Sequence, residues 1–210
     1  MNVSPKSDGS SKAQKNHMVA IPKKKYTFDE YLALERAEGI RYEFWHGDVV
    51  AMAGATKRHN VLVQNTTFSL RAFARKNGCQ AFSENVRLKI PASEKYVYPD
   101  VVYTCESDDL NDDQGIYVSS PCLLVEVLSE STGADDDHKK RLQYFKIPSL
   151  QYYVLIHQDA CKVEVNERTA DFCAYRLYEA IDTPIPMPNK HITIPMSAIY
   201  EDIEINEPED

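Results

Sequence analysis

The segment Cys122-Leu-Leu-Val-Glu-Val-Leu128 limits what this chain can fold into more than any other part of it. A strand with one wet face alternates apolar and polar side chains, whereas a nearly continuous apolar run marks a central strand covered on both sides. The chain must therefore build layers above and below a sheet, which places it in the α/β class, a mixed β-sheet flanked by helices. Glu126 is the exception within the run. A lone carboxylate in such a strand is costly, so it has to be protonated, paired with a base or bound to a cation. Tyr98-Pro-Asp-Val-Val-Tyr103 repeats the problem, because Asp100 interrupts a second apolar strand just after a proline. Neighbouring strands lie about 4.8 Å apart, so on adjacent strands the two carboxylates could share one ion. Oxygen-only ligands favour a hard cation, Mg2+ or Mn2+, over zinc. Taken singly, each acid has a plainer use: Asp100 could cap a turn, and Glu126 could pair with Arg87 or Lys140. Two such acids followed by a lysine-bearing helix point to a site.

The flanking segments supply the other layers. Thr27-x-x-Glu30 has capping-box spacing and opens a short helix that Gly39 suits as an exit. Arg41–Trp45 and Asp48–Met52 read as strands around a His46-Gly47 turn. From His59 to Lys76 the apolar positions follow a helical period, and Gly78 closes the helix. Val86–Ile90 alternates as a half-buried strand does, Tyr98–Thr104 is a further strand, and the acid-rich stretch 105–115 reads as an exposed loop. Asp135–Phe145 is a helix with acids at its positive end. Tyr152–Ile156 and Cys161–Val165 form a hairpin, and Cys173–Tyr178 adds a strand. The ordered domain spans 26–200, between a flexible basic N-terminal arm, 1–25, and an acidic C-terminal tail, 201–210.

Composition excludes several classes. In 210 residues, 43% hydrophobic and 27% charged, no apolar run reaches the roughly 18 residues of a membrane span. The five cysteines are odd in number and widely spaced, so free thiols are expected rather than a disulfide framework or a zinc ribbon. With no apolar leader, the expected location is cytoplasmic. The net charge of −8 argues against indiscriminate coating of nucleic acid, yet residues 57–89 carry seven bases against the single acid Glu84.

Pro99-Asp100, a later strand ending in Glu126-x-Leu128 and a nearby lysine resemble the PD-(D/E)xK nuclease superfamily. Arg41-Tyr-Glu-Phe-Trp-His-Gly-Asp48, Arg58-His59-Asn60, Val125-Glu-Val-Leu-Ser-Glu-Ser-Thr132 and Lys140-Arg-Leu-Gln-Tyr144 resemble its Uma-two branch of restriction endonucleases. The resemblance covers about residues 26–200. It implies a restriction-endonuclease-like fold and a metal-dependent endonuclease acting on DNA, with Mg2+, or Mn2+ as substitute, held by Asp100 and Glu126. It also implies a homodimer, because cutting two strands needs two sites. The superfamily lysine normally stands two residues after the acid, where this chain has Leu128. The role would pass to Lys140 on the following helix, with Lys139 as the fallback and Leu142 and Tyr144 on the packing face.

Glu43 is a candidate auxiliary carboxylate whose rival use is a pair with Arg41; Glu84 and Asp136 are weaker candidates. His59 and Arg58, at the start of the long helix, are candidate substrate contacts, although a first-turn polar residue needs no such role. Arg71 and Arg75 are i, i+4 neighbours that could track phosphates but read more simply as a solvated face. The alternative function is a catalytically inactive nuclease-fold protein that binds nucleic acid or protein. In a third reading Asp100 and Glu126 are merely paired internally.

Overall fold

The computed structural model describes residues 24–52, 54–128, 134–170 and 173–205, with the backbone but not the side chains of 134–137. Most of the basic arm, 1–23, and residues 206–210 of the acidic tail lie outside the described residues, as do the Ser and Thr positions within 129–133.

The central run becomes β8 (Leu123–Leu128), buried along nearly its whole length. It lies inside a six-stranded sheet in the order β11 (Cys173–Tyr178), β10 (Val163–Arg168), β9 (Tyr152–His157), β8, β6 (Val101–Thr104), β3 (Gln80–Ser83). The β8–β9 pair is parallel and its neighbours are antiparallel. A parallel pair needs a crossover, and α4 (Ala134–Tyr144) lies on the connection that provides it. On one face of the sheet, Leu62, Val63, Leu70 and Ala74 of α2 (Lys57–Asn77) pack on Val101, Tyr103, Leu123 and Val125. The ribbon of β12 (Pro184–Met187) and β13 (Ile192–Pro195) joins that cluster through Ile185, Met187, Ile192 and Ile194. On the other face, Tyr144 of α4, Ile147 and Leu150 pack on Val102, Leu124, Tyr153 and Leu155.

That second face is shared with another sheet. Its five strands run in the order β2 (Asp48–Ala51), β1 (Tyr42–Trp45), β5 (Lys95–Val97), β4 (Arg87–Ile90), β7 (Tyr117–Val118). Leu88, Ile90 and Val97 bring it into the Tyr144 cluster. The sequence suggested one mixed sheet; the described residues divide it into two larger sheets and a ribbon. Strands β3, β5, β7, β12 and β13 are two to four residues long, too short to show a clear period.

Several local expectations hold. The capping box at Thr27 and Glu30 is present, α1 (Phe28–Glu38) ends at Gly39 with φ 67°, and α2 ends at Gly78 with φ 64°. Both glycines adopt the left-handed conformation that a side chain disfavours. Three expectations are corrected. The 105–115 loop contains a short helix, α3 (Ser107–Asn111), and Asp109 there accepts the amides of Ser119 and Ser120. Leu142 is exposed rather than packed. The thiols are not all free, because Cys79 and Cys105 form a disulfide. The register explains the pairing: Gln80 faces Thr104 across β3 and β6, so the residues one step beyond them face each other too. Their separation of 26 residues gives no local signal in the sequence.

Glu35 ties α1 to the second sheet. Its buried carboxylate accepts the Tyr42 amide at 3.0 Å and the Tyr98 hydroxyl at 2.8 Å, and it pairs with Arg87. Burial alone would raise its pKa, but the Tyr42 amide and the Arg87 and Tyr98 donors outweigh it, and the net shift is downward. A depressed carboxylate contributes stability above its unfolded pKa, which is lost as pH falls through the lower folded value. Urea unfolding should show Glu35→Gln to be on the order of 3 kcal/mol less stable at neutral pH, since it strands a buried arginine. The variant should also lose part of the acid limb of the stability curve; an unchanged curve would remove Glu35 from this role. Reduction of the 26-residue disulfide loop should cost roughly 3.5 kcal/mol by loop entropy, provided non-reducing peptide mapping finds the Cys79–Cys105 link.

Candidate active site

Alternation along adjacent strands determines where the two anomalous acids point. Val101 faces Val125 and Val102 faces Leu124 in the antiparallel β6–β8 ladder, so Asp100, one step before β6, continues the register opposite Glu126. Side chains two residues apart share a face, which puts Asp100 and Val102 on the same side as Leu124 and Glu126. Both acids line a single cavity of about 530 Å3. One oxygen of Asp100 accepts the Val127 amide at 2.7 Å, which locks the carboxylate against the neighbouring strand.

Lys140 reaches the same place from α4. Its Nζ lies 3.5 Å from Glu126 Oε1 and 3.9 Å from Glu43 Oε1. Tyr144, one turn further along, donates its hydroxyl to Glu126 Oε1 at 2.7 Å. The i, i+4 spacing of Lys140 and Tyr144 explains why both meet one carboxylate oxygen. Burial raises the Glu126 pKa to about 7; Lys140 opposes the rise, and Asp100 adds to it. Glu43 comes from β1, and its other oxygen accepts the Trp45 indole N–H at 2.9 Å.

The N-terminus of α2 forms another wall. The Thr56 hydroxyl caps the helix by accepting the His59 amide at 3.1 Å, fixing His59 in the first turn. His59 Nε2 is 3.2 Å from Asp100 Oδ2, while Nδ1 is buried without a hydrogen-bond partner among the described residues. Its bond to Asp100 raises the imidazole pKa against the opposing effect of burial. Gln158 ties this wall to the sheet by donating to the Leu128 carbonyl at 2.7 Å and accepting from Thr56 at 3.0 Å.

At the end of β3, Glu84 and Asn85 both line the cavity and both have positive φ, 45° and 58°. Two consecutive non-glycine residues in the left-handed region are strained, a feature that concentrates at functional sites. The Glu84 amide bonds the Asp100 carbonyl at 3.0 Å, so the strained turn also braces the Pro99-Asp100 segment.

Asp100, Glu126, Lys140, Glu43 and His59, all singled out in the sequence, thus meet at one cavity, and Glu84 joins them. Arg58 does not line it. Its guanidinium donates to the carbonyls of Gln158 and Glu204, which ties the segment around Glu204 to the start of α2. Lys139 is exposed, whereas Lys140 on the same helix faces the cavity. Glu43 does not pair with Arg41, which sits 3.9 Å from Glu35 and donates to Asn85 at 3.3 Å. Arg87 pairs with Glu35 and not with Glu126. The Asp136 side chain lies outside the described residues. Sequence reading missed the polar role of Tyr144, whose one available signal was its position four residues after Lys140. It also missed Arg41, Asn85 and Gln158 as cavity residues, which only tertiary folding assembles.

Among the described residues no three His, Cys, Asp or Glu side chains form a ready-made metal cage. An ion held by Asp100 and Glu126 would take its other ligands from water or substrate, as Mg2+ does in sites with one or two carboxylates. Oxygen donors on facing strands, at the wall of an open cavity, fit that hard ion.

In fold the chain is a restriction-endonuclease-like α/β protein. The crystal structure of a protein from Anabaena variabilis, described as "a putative nuclease belonging to DUF820", superposes with a TM-score of 0.69, covering 83% of this chain and 97% of that one at 18% identity. The chain belongs to the Uma2 family, described as "Putative restriction endonuclease", whose model matches residues 28–191. Two uncharacterised proteins of Synechocystis sp. PCC 6803 are similar to it. One, sll1609, is 35% identical over 73% of this chain and 87% of its own length; slr1290 is 29% identical over 74% and 80%. No helix among the described residues is long and apolar enough to cross a membrane.

Tyr144→Phe tests the geometry without reference to activity. It leaves the buried Glu126 carboxylate one donor short, and urea unfolding should record a loss of about 1–3 kcal/mol. An unchanged stability would mean that the 2.7 Å bond is not made in solution.

Proposed function

We propose that this protein is a Mg2+-dependent endonuclease that hydrolyses phosphodiester bonds in DNA, with Mn2+ as a substitute ion. The observation that carries the reading is the meeting of Asp100, Glu126 and the Lys140 amine at one wall of one cavity. Charge supports it. Glu43, Glu84, Asp100 and Glu126 line the cavity against Arg41, Lys140 and His59. An anionic phosphodiester would meet net repulsion there without a cation, so the carboxylates make sense as ligands. Asp100 and Glu126 would hold the ion, which supplies Lewis acidity to the phosphate and to the attacking water.

The remaining steps fall to the chain's own groups. Lys140 is close enough to Glu126 to hold the nucleophilic water beside the site or to stabilise charge developing on the phosphate oxygens. Glu43, aimed by Trp45, lies 3.9 Å from that amine and helps hold it toward the cavity. The Val127 amide and His59 fix the orientation of Asp100. Arg41 and Asn85 stand among the lining residues where flanking phosphates would pass. Duplex cleavage requires two such sites, which a homodimer would provide. A lysine displaced from the strand still comes within 3.5 Å of Glu126, which supports the reading.

Plasmid nicking should require Mg2+ or Mn2+ and stop with a chelator. Asp100→Asn, Glu126→Gln and Lys140→Met should each lower the rate by at least about 100-fold, in line with the loss of a main transition-state contact. Circular dichroism should be retained, and His59→Ala should lower the rate by less than either carboxylate substitution. Cleavage surviving both carboxylate substitutions would sink the proposal. Tight DNA binding with no cleavage under any divalent ion would favour the inactive binding protein.

A further inference from the structure

We infer that the groove between α2 and the free edge of β3 binds a single strand of DNA and leads it into the cavity. Strand β3 is the last in its sheet and pairs only with β6, so its outer edge presents unpaired backbone groups. It runs alongside α2 to Glu84 at the cavity, where the Asn60 amide donates to Glu84 Oε1 at 3.4 Å. Gln64 in turn donates to Asn60 at 2.5 Å. Further along, Arg71, Ala74, Arg75, Gln80, Ala81 and Phe82 line a depression of about 460 Å3.

Helical spacing makes these positions one track. Asn60, Gln64, Arg71 and Arg75 fall within a narrow arc of α2, and from Asn60 to Arg75 the helix rises about 22 Å. Phe68 stands at the rim of the same arc and is 81% exposed, the most exposed large hydrophobic side chain among the described residues. Arg71 and Arg75 are exposed and make no ion pair among the described residues. Of the seven bases between residues 57 and 89, Arg71 and Arg75 are the two that line this depression.

Two arginines unpaired among the described residues and a bare aromatic ring, on the helix face that reaches Glu84 through Gln64 and Asn60, match the chemistry of a single nucleic-acid strand. The cations take phosphates, and the ring stacks a base with little regard to its identity. Lys76 tests the geometry: it carries the same charge on the same helix but points about 100° away from Arg75.

The inference rests on the nuclease reading only for where the strand leads, and binding can be measured without turnover. Fluorescence anisotropy of a labelled single-stranded oligonucleotide, with the full chain and a chelator present, should show at least tenfold weaker binding for the double variant Arg71→Ala/Arg75→Ala. The slope of log affinity against log salt should fall by roughly 1.4 for two lost phosphate contacts. Phe68→Ala should weaken binding about five- to 150-fold with little change in that slope. Lys76→Ala should stay within about twofold. A double variant that binds like the parent, or a Lys76→Ala variant that is equally impaired, would overturn the inference. So would a change confined to the oligomeric state, which would make the groove a protein interface. Groove-dependent binding without cleavage would leave the inference standing and remove the nuclease reading. Normal cleavage with groove-independent binding would do the reverse.

Discussion

Everything at the site depends on keeping a carboxylate ionisable inside a strand built to be dry. Glu126 sits between Val125 and Val127 in a strand buried along nearly its whole length, and burial pushes its pKa up to about 7. Its pocket is polar because α4 turns two donors onto one carboxylate oxygen, the Lys140 amine and the Tyr144 hydroxyl. Asp100 faces it from β6 and raises the electrostatic cost again. Selection for stability alone would replace such a pair with apolar side chains, because well-packed hydrophobic residues usually do better than buried charge. Under the proposed chemistry, acids gathered at this expense serve as a place for a cation.

The architecture around them divides its work between the two faces of the sheet. The face under α2 is closed by the β12–β13 ribbon and contains the larger apolar cluster. The opposite face is shared by α4 and the second sheet, and its apolar cluster gives way to the cavity where Glu126 and Lys140 meet. Glu35 helps fix that boundary. It bonds Tyr98, two residues before Asp100, and so anchors the segment that delivers the acid. The Cys79–Cys105 disulfide joins the C-terminal end of α2 to the end of β6, while His59 and Asp100 join the opposite ends of the same two elements.

Much of this was legible in the sequence, and the gaps have physical causes. The central strand, the long helix and the caps at Thr27, Gly39 and Gly78 are strong local signals, and the structure contains them all. Asp100 and Glu126 stood out because charge in an apolar strand is expensive wherever it occurs. Lys140 was found through a resemblance, since helix periodicity alone does not separate it from Lys139. Tyr144 lies on the packing face as expected, but its hydroxyl's bond to Glu126 was not legible, because a buried tyrosine ring and a buried tyrosine hydroxyl have the same sequence signature. The short strands, the disulfide and the guanidinium of Arg58 turned toward backbone carbonyls all depend on distant partners, which local pattern does not encode.

The position of Lys140 has a consequence for how such a site can change over time. Where acid and amine share one strand, two residues apart, any shift of backbone moves both together. Here the amine rides on a separate helix, seated by the Tyr144 ring against Tyr153 and by its hydroxyl on Glu126. Under the proposed chemistry, ion affinity and turnover become separately adjustable traits. Repacking α4 could silence the enzyme while leaving the carboxylates intact, so a lineage could retire cleavage and keep a nucleic-acid-binding scaffold through changes confined to one helix.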